Sequence, residues 1–502
     1  MNHLLAPRIG AAVRVLLLLA VLLVPAALDA APDDPGSPHA VYLPIIRAPS
    51  QVLVAPALEP FDADAEDLVG PSDWMANYGK APEIIVASSG SGLDILAQDY
   101  DPATPWNAVL LHVAGNAAAY RITQVLTNIP MLDRVMGLDV DAAGNRYYAT
   151  AVDESAQVNP NYPPPNTWRS NIVRVIKLDP AGHVLFDVDL DPARHAFDPN
   201  AEMIINPMVA ATARLAVGGG EVALVHGINT GPDWNIGGVR HQKALSTRLD
   251  TNGNVTRTSS IWVSHSFDER LLYDGQGITE LHLGDAYPRW VVLGRNHNPY
   301  ALFHIKGPVG ENLTATRLGN LALIRNDPVY GYLALFATES TPELAGGQIV
   351  NGPRNLAIVR VNRNDGSVDL SLPDVLTVNS AGSVETNRLR WLTAYSADSA
   401  RHAERPKLVP VGDDLYVVLW EQWRTVTADQ DQFEGVYALL IDALGNARRP
   451  ITLVTAQHHL PRGDDAFVLD GRAGWVTGSA ASRSLLIHLV DAELRYQAVT
   501  LQ

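Results

Sequence analysis

The fold is decided by one stretch of the sequence, Arg405-Pro406-Lys407-Leu408-Val409-Pro410-Val411-Gly412-Asp413-Asp414-Leu415-Tyr416-Val417-Val418-Leu419-Trp420. It places two apolar, β-branched segments on either side of a Gly-Asp-Asp turn, a pattern that predicts two antiparallel strands. Two further apolar segments follow, Gly435 to Asp442 and Arg449 to Thr455. The four segments predict an antiparallel meander of about sixty residues, the size of one repeat unit.

A second pattern recurs along the chain: an Asp or Asn, one to three residues that are mostly small, and then Gly. It occurs at Gly137–Asn145, Leu178–His183, Leu249–Asn254, Val361–Ser367 and Ile441–Asn446. Each is expected to be a tight hairpin in which the Asp or Asn accepts hydrogen bonds within the turn and Gly takes a positive φ. A calcium loop is the alternative, but single acids with apolar neighbours supply too few oxygen ligands.

The four-strand unit returns regularly. The last copy comprises Phe467 to Gly471, Gly474 to Ser479, Leu485 to Val490 and Tyr496 to Leu501. The same spacing predicts seven units near 83–129, 130–191, 205–264, 268–319, 320–379, 404–456 and 465–502. Because a ring of sheets buries the faces that one sheet leaves exposed, this repeat is typical of propeller blades.

Over residues 82–502 the sequence therefore resembles a secreted bacterial β-propeller, by architecture and without the motifs of a specific family. The resemblance implies an all-β fold: a seven-bladed propeller of four-stranded antiparallel blades. Six or eight blades stay open as alternatives, because the second unit carries a long insertion. A two-domain β-sandwich does not explain why the four-strand unit recurs at a regular spacing along the sequence. The last unit has four strands of its own, so closure needs no exchange of strands between the chain ends.

Composition and the N-terminus indicate where the protein works. The 502 residues are 47% apolar, which disfavours disorder, and contain no Cys, which disfavours a disulfide scaffold. The net charge of −17 disfavours binding to nucleic acids or to anionic membrane surfaces. Arg8 and Arg14 precede the apolar run 15–24, and small residues follow, as in a secretory signal peptide over 1–30. Residues 31–81 predict a Pro/Ala-rich arm or spacer. We expect a secreted, extracellular or cell-surface protein without a membrane span.

Candidate site residues lie where the chain departs from its own repeat. In a propeller, the loops that enter each inner strand and those that leave each second strand gather on one face. This geometry predicts that His265, Asp268, Arg270, Asp285 and Arg289 converge at the fourth blade. They offer two carboxylates, a histidine and two guanidinium groups for an anionic or hydroxyl-rich ligand. The alternative is two structural ion pairs, Asp268–Arg270 and Asp285–Arg289.

The same geometry adds further candidates from the sixth and seventh blades: Arg405, Trp420, Glu421, Arg462 and Asp464. Carboxylates beside tryptophans suit sugar recognition, although a tryptophan in a loop is often only a packing lid. His458 and His459 are adjacent and lack a third ligand, so no metal site is expected. No phosphate loop or dinucleotide fingerprint occurs, and no cofactor is expected.

The leading hypothesis is a secreted, non-enzymatic recognition propeller whose loop-rich rim binds a polysaccharide, a peptide or a partner protein. The rival is an extracellular carbohydrate-active hydrolase or lyase that uses Asp268 and Asp285 as a carboxylate pair, assisted by His265 or Tyr287. A structural cell-surface protein is the third reading. Whether the chain is an enzyme stays open, and a monomer is expected.

Overall fold

The computed structural model describes most of the chain from Ile84 onward. The described ranges are 45–46, 84–90, 92–101, 104–116, 119–151, 173–190, 203–204, 213–230, 242–264, 268–284, 289–295, 298–305, 316–339, 353–378, 384–427, 430–461, 465–479 and 484–501. All of them belong to one compact unit, Tyr42–Gln502. The predicted signal peptide lies outside these ranges, as does the predicted arm apart from Ile45–Ile46, so both stay predictions.

The described residues form strands, together with one short 3-10 helix at Ala397–Ser399. The first strands are β1 Ile45–Ile46, β2 Ile84–Ser89, β3 Gly92–Asp101, β4 Thr104–Asn116, β5 Ala119–Thr127, β6 Arg134–Val140, β7 Arg146–Ala151, β8 Val173–Leu178, β9 Val184–Leu190, β10 Met203–Ile204 and β11 Arg214–Gly218. Then follow β12 Glu221–Thr230, β13 Gln242–Asp250, β14 Val255–Ser264, β15 Glu269–Tyr273, β16 Ile278–Leu283, β17 Trp290–Arg295, β18 Asn298–His304, β19 Arg317–Leu323, β20 Tyr330–Glu339 and β21 Arg354–Asn362. The last are β22 Asp374–Val378, β23 Val384–Arg388, β24 Arg390–Trp391, β25 Arg401–Gly412, β26 Leu415–Thr427, β27 Gln430–Asp442, β28 Ala447–Thr455, β29 Phe467–Leu469, β30 Arg472–Ser479, β31 Ser484–Val490 and β32 Tyr496–Leu501.

These strands build seven antiparallel sheets, each with four strands in chain order. The sheets are β2–β5, β6–β9, β11–β14, β15–β18, β19–β21 with β24, β25–β28 and β29–β32. Two short strands extend them, because β1 pairs with β5 and β10 pairs with β12. β22 and β23 form a separate hairpin inserted in the fifth sheet. The predicted number of blades, seven, is confirmed.

The sheets are joined into a ring by their first strands. β2 contacts β6, and the contacts continue through β11, β15, β19 and β25 to β29, which contacts β2 again. The first strand of each sheet is therefore the inner strand of the propeller. The seventh sheet takes all four strands from its own segment, so the ring closes without strand exchange, as the sequence predicts.

Each junction between neighbouring blades has its own apolar cluster, because each sheet packs one face against the blade before it and the other face against the blade after it. The junction between blades 7 and 1 contains Leu93 and Ile487, and the junction between blades 5 and 6 contains Leu335 and Trp420. The smallest cluster lies between blades 3 and 4, where Ala216, Ala223 and Ile278 are its buried members. Packing between sheets therefore supplies stability in a chain without disulfides.

The predicted Asp turns are confirmed. In the turns that begin at Asp141, Asp179, Asp250 and Asp442, the Asp carboxylate accepts the backbone N–H four residues later. The glycine of each turn has a positive φ, for example 75° at Gly445. Backbone N–H groups already donate to these carboxylates. The carboxylates therefore stabilise the hairpin turns and do not form calcium loops.

The strands differ from the expected units in blades 4 and 5. β19 opens the fifth sheet at Arg317, which the spacing of the sequence assigns to the unit 268–319. The fifth sheet then reaches β24 at Trp391, because the β22–β23 hairpin lies between its third and fourth strands. An insertion of this kind lengthens one unit and shifts the apparent period on both sides of it.

Candidate functional site

Of the predicted residues that the structure describes, Asp268 and Arg270 lie at the start of the inner strand of blade 4. In each blade the start of the inner strand pairs with the end of the second strand, as in the register Glu269↔His282 and Arg401↔Arg424. We call this end the upper face and the opposite end, which carries the Asp turns, the lower face. Side chains from the starts of different inner strands meet around the axis at the upper face.

Asp268 and Arg270 form the predicted pair at the start of the fourth blade. Arg270 Nη1 donates to Asp268 Oδ1 at 2.5 Å, and the second carboxylate oxygen accepts the backbone N–H of Leu318 at 2.8 Å. Arg270 also donates to the carbonyl of Leu318 at 2.9 Å. Both side chains thus join the fourth blade to the fifth, which is the geometry of the structural alternative for this pair.

Asp465 extends this pair across the axis. It precedes the inner strand of blade 7, and its carboxylate lies 3.1 Å from Nε of Arg270 in blade 4 and 3.7 Å from Nε of Arg214 in blade 3. Burial raises the pKa of Asp465, but the fields of Arg270, Arg214 and Lys407 outweigh burial and hold that pKa below its usual value. The carboxylate is therefore ionised and links blades that do not touch along the ring.

A second acid, Glu404, lies beside this group. It forms an ion pair with Arg354 of blade 5 and lies 3.5 Å from Nε of Arg317 at the start of β19. Glu404 is 4% exposed at its side chain and Arg354 is 2% exposed, so their pair is held inside the protein. We call the eight charged residues around the axis the axial cluster: Arg214, Asp268, Arg270, Arg317, Arg354, Glu404, Lys407 and Asp465.

Glu421 and Arg405 adjoin the axial cluster in blade 6. Glu421 is fully buried and accepts hydrogen bonds from the Leu460 N–H at 2.7 Å and from the Trp423 indole at 2.9 Å. Arg405 and His459 each lie 3.3 Å from the same carboxylate. Burial raises the pKa of Glu421, but Arg405 and these donors bring it below its usual value.

The backbone helps to aim Arg405 at this carboxylate. Arg405 has a φ of 50°, which is uncommon for a residue other than glycine, and it lies at a register shift between Glu404 and Lys407. A residue held in such a conformation inside a strand is often found at a functional position. The bulge makes Arg405 the strained member of the group.

The tryptophan of the predicted sugar site is not at the surface. β26 continues to Thr427, so Trp420 lies in the middle of the strand and has no exposed surface. Its indole N–H donates to the Tyr395 hydroxyl at 3.0 Å, and its ring stacks on Tyr437. A ligand cannot stack on Trp420 in this structure. The partly exposed ring at this position belongs instead to His459, which is packed against Trp423 and Phe433.

The remaining predicted residues divide into two groups. Arg289 is described and is 1% exposed at the start of β17. His265, Asp285, Tyr287, Arg462 and Asp464 lie outside the described residues, so the separation of Asp268 and Asp285 stays untested. Sequence reasoning missed Arg214, Arg317, Arg354 and Lys407, whereas Glu404 and Asp465 lie in the stretches before the sixth and seventh blades from which the predicted residues Arg405 and Asp464 come. The signal that was available for Arg214 and Arg317 is their position as the first residue of an inner strand.

A buried charge network reinforces the junction with the smallest apolar cluster. His282 lies between Glu269 and Glu280, and Glu280 also pairs with Arg248 of blade 3. Burial lowers the pKa of His282, but the two carboxylates outweigh burial and raise it to about 10. The pKa of Glu280 is lowered to about 2, because its contacts with His282 and Arg248 outweigh burial. His282 is therefore a cation in a closed network and keeps its proton near neutral pH.

The described residues contain neither a metal-binding cluster nor a helix that could span a membrane. Within these ranges, no three His, Cys, Asp or Glu side chains are arranged to hold a metal ion. Across the same part of the chain, no helix has the length and apolar character that a bilayer span requires.

The fold and the site thus define a seven-bladed β-propeller with a cluster of ion pairs around its axis. No family model matches the sequence, and no curated protein matches it. Among solved structures, puromycin hydrolase has a TM-score of 0.39 at 13% identity, over 89% of this chain and 56% of that one. A protein of unknown function from Dyadobacter fermentans has a TM-score of 0.36 at 10% identity, over 91% of this chain and 98% of that one. An α-L-arabinanase from Penicillium chrysogenum has a TM-score of 0.35 at 9% identity, over 73% and 80%. These likenesses are too weak to carry an argument about activity.

Proposed function

We propose that the protein is a secreted recognition propeller that binds a carbohydrate on its upper face and does not convert it. The ligand lies over the axial cluster, where side chains of five blades meet. Export rests on the predicted signal peptide, whose residues lie outside the described ranges. A peptide or a partner protein is the alternative ligand.

The observation that carries this proposal is the state of the carboxylates. Among the described residues of the axial cluster, Asp268, Glu404 and Asp465 each contact a guanidinium group, and the adjoining Glu421 does so as well. The pKa values of Asp465 and Glu421 lie below the usual range. A glycosidase needs a carboxylic acid whose pKa is raised, so that it can protonate the leaving group. This pairing supports binding over acid catalysis.

Carbohydrate is supported by the kind of groups that the upper face presents. Guanidinium and carboxylate groups are planar and offer two donors or two acceptors side by side, which suits neighbouring hydroxyls. They are fixed by ion pairs on rigid strands, so little conformational entropy is lost on binding. The His459 ring, 29% exposed at its side chain, adds a flat surface beside Arg405 and Glu421.

The proposal is tested with the full exported chain on a glycan array, followed by titration of each ligand that binds. Arg317→Ala and Arg214→Ala, at the two arginines of the axial cluster whose side chains are 16% and 12% exposed, are expected to weaken binding. Arg495→Ala, in a turn of the lower face, is the matched control and is expected to bind like the unaltered protein. Retention of full affinity by both upper-face variants would remove this face from consideration.

A second measurement separates binding from catalysis. Each bound oligosaccharide is incubated with the protein, and new reducing ends and unsaturated products are quantified. The proposal expects none above the rate without protein. Turnover that disappears in Asp268→Asn would overturn the proposal and establish the hydrolase or lyase instead. Binding to peptides alone would overturn the carbohydrate assignment.

A further inference from the structure

A cavity lies at the outer end of the junction between blades 4 and 5, where the chain departs from its own repeat. Its volume is about 420 Å³, and it lies between β18, the outer strand of blade 4, and the inserted hairpin strand β23. Val368, which bridges to Val361 of β21, lines it as well. We call this cavity the hairpin pocket. Its volume falls within the range of roughly 300–1,000 Å³ that is usual for small-molecule sites.

The two sides of the hairpin pocket differ in character. β18 contributes Ala301, Leu302 and His304, and β23 contributes Thr386, Asn387 and Arg388. Leu302 is buried in the apolar cluster of this junction, and Val368 packs against the same cluster. The β23 side instead presents a hydroxyl, a carboxamide and a guanidinium group. A ligand that fills the pocket therefore needs one apolar face and several hydrogen-bonding groups.

Two of the polar groups of β23 are held in place by contacts within the protein. Asn387 is 6% exposed, and its Oδ1 accepts the backbone N–H of His304 at 3.2 Å, which joins the two sides of the pocket. Arg388 forms an ion pair with Asp374, its register partner on β22. A guanidinium has five N–H donors and one carboxylate accepts at most two of them side by side, so Arg388 keeps donors for a ligand.

The charge of the lining narrows the ligand class. Arg388 is the one permanently charged residue that lines the pocket, and Asp374 compensates its charge. The lining therefore favours an uncharged ligand. A sugar ring has a C–H face and hydroxyl groups around its edge, and each hydroxyl both donates and accepts hydrogen bonds. We propose that the hairpin pocket binds one uncharged sugar unit, with its C–H face against Leu302 and Val368 and its hydroxyls toward β23.

This site is separate from the axial cluster and goes beyond the proposed function. β18 is the fourth strand of its sheet, whereas the axial cluster lies at the inner strands. Neighbouring strands are about 4.8 Å apart, so three spacings, about 14 Å, separate β18 from β15. Occupancy of one site does not require occupancy of the other, and variants at each site test it independently.

The test uses the methyl glycosides of glucose, galactose, xylose and arabinose with the full chain. Binding is detected by saturation-transfer NMR and measured by calorimetric titration. Ala301→Trp places a large ring at an exposed position of the pocket and is expected to abolish binding. Ala498→Trp, at an exposed position of the outer strand β32, is the matched control and is expected to bind like the unaltered protein. Arg388→Met is expected to bind about tenfold more weakly, because it loses hydrogen bonds from a charged donor.

Two milder variants keep the proposal falsifiable if Ala301→Trp does not fold. Arg388→Met and Thr386→Val alter only the inserted hairpin, and unchanged affinity in both would overturn the inference. Binding that is lost in Arg214→Ala and Arg317→Ala but kept in the hairpin variants would also overturn it and would support the proposed function instead. No binding of any of the four glycosides at millimolar concentration would overturn it as well. Binding of methyl glucuronide about tenfold more tightly than methyl glucoside would overturn the assignment to an uncharged ligand.

Discussion

The substitution Asp465→Asn probes the ion pairs that cross the axis. It preserves the shape of the side chain but removes the charge that faces Arg270 at 3.1 Å and Arg214 at 3.7 Å. Three cations, including Lys407, then face one another without their shared acid. The folded protein is destabilised because like charges are held together and both arginines lose an acidic partner, although Arg270 keeps Asp268.

The magnitude follows from the burial of the pair. Removing one partner of a fully buried ion pair costs roughly 3–5 kcal/mol, whereas an exposed pair is worth about 0–1 kcal/mol. Arg270 is 4% exposed at its side chain and Asp465 is 28% exposed, so the pair lies between these limits but closer to the buried one. We expect Asp465→Asn to lower the free energy of unfolding by about 2–3 kcal/mol.

The assay is urea unfolding of the full chain, followed by circular dichroism and by tryptophan fluorescence. Coincidence of the two transitions shows that the ring unfolds as one unit and that free energies can be compared. A double-mutant cycle with Arg270→Met isolates the pair, and we expect a coupling energy of at least about 1 kcal/mol.

The pH dependence gives an independent check with a definite sign. The pKa of Asp465 is lower in the folded protein than in the unfolded chain, so its contribution is present above the ordinary aspartate pKa and is lost as pH falls through the folded value. The difference between the unaltered protein and Asp465→Asn should therefore be full at pH 7 and shrink below about pH 4. A loss under about 0.5 kcal/mol at pH 7, with no coupling to Arg270, would refute the reasoning.

Three further predictions concern stability. Gly445→Ala places a Cβ 2.3 Å from Ile358 Cδ1, whereas the Cβ of Gly471→Ala, at a similar φ, is 3.8 Å from its nearest atom. Thermal unfolding should show that Gly471→Ala lowers the free energy of unfolding by about 1 kcal/mol. Gly445→Ala should lower it by at least about 2 kcal/mol more. Burial of His488 lowers its pKa to about 3, so as the pH falls below about 6.5 this histidine is protonated in the unfolded chain before it is protonated in the folded protein. His488→Gln should therefore reduce the slope of the unfolding free energy against pH by up to about 1.4 kcal/mol per pH unit between pH 6 and 4. An unchanged slope would contradict this. Asp250→Ala removes the acceptor of the Asn252 and Asn254 N–H groups and should lower the urea concentration at the midpoint of unfolding. The fall should exceed that of Asp365→Ala, in a turn where the carboxylate accepts one backbone N–H, and equal midpoints for the two variants would contradict this.

The blades could be predicted from the sequence because their signals are local. A hairpin needs an Asp or Asn, a glycine and two apolar segments within a short window, and the turns at Asp250 and Asp442 provide them. The number of blades follows from counting such windows. The inserted hairpin β22–β23 has the same local pattern as a pair of blade strands, which is why the borders of blades 4 and 5 were placed differently.

The candidate site was accessible only in part, because its main contacts are not local. Asp268 and Arg270 are two residues apart, and their pairing is visible in the sequence. The contact of Arg270 with Asp465 depends on the diameter of the ring and on which residue of each inner strand reaches the axis. The structure brings Arg270 of blade 4 to Asp465 of blade 7, the neighbour in the sequence of the predicted Asp464.

The position of Trp420 illustrates a second limit. The residues that follow it, Glu421 and Gln422, are charged and polar, which is typical of the end of a strand. β26 runs thirteen residues to Thr427, and the charged neighbour Glu421 is buried with four donors around it. In the sequence alone, a buried acid looks like a loop residue, because its partners in the folded protein are not visible there. For Glu421 these partners are Arg405, His459 and Leu460.

The closure of the ring by seven self-contained sheets has a consequence for how such a gene can change. The junction between β29 and β2 is, in structural terms, only one of seven such junctions, since β29 meets β2 as any inner strand meets the next. Moving the termini to another junction by circular permutation leaves every hydrogen-bonded ladder intact. Duplication or deletion at the level of DNA can likewise add or remove a complete blade, with no strand left to be reassigned to a different sheet.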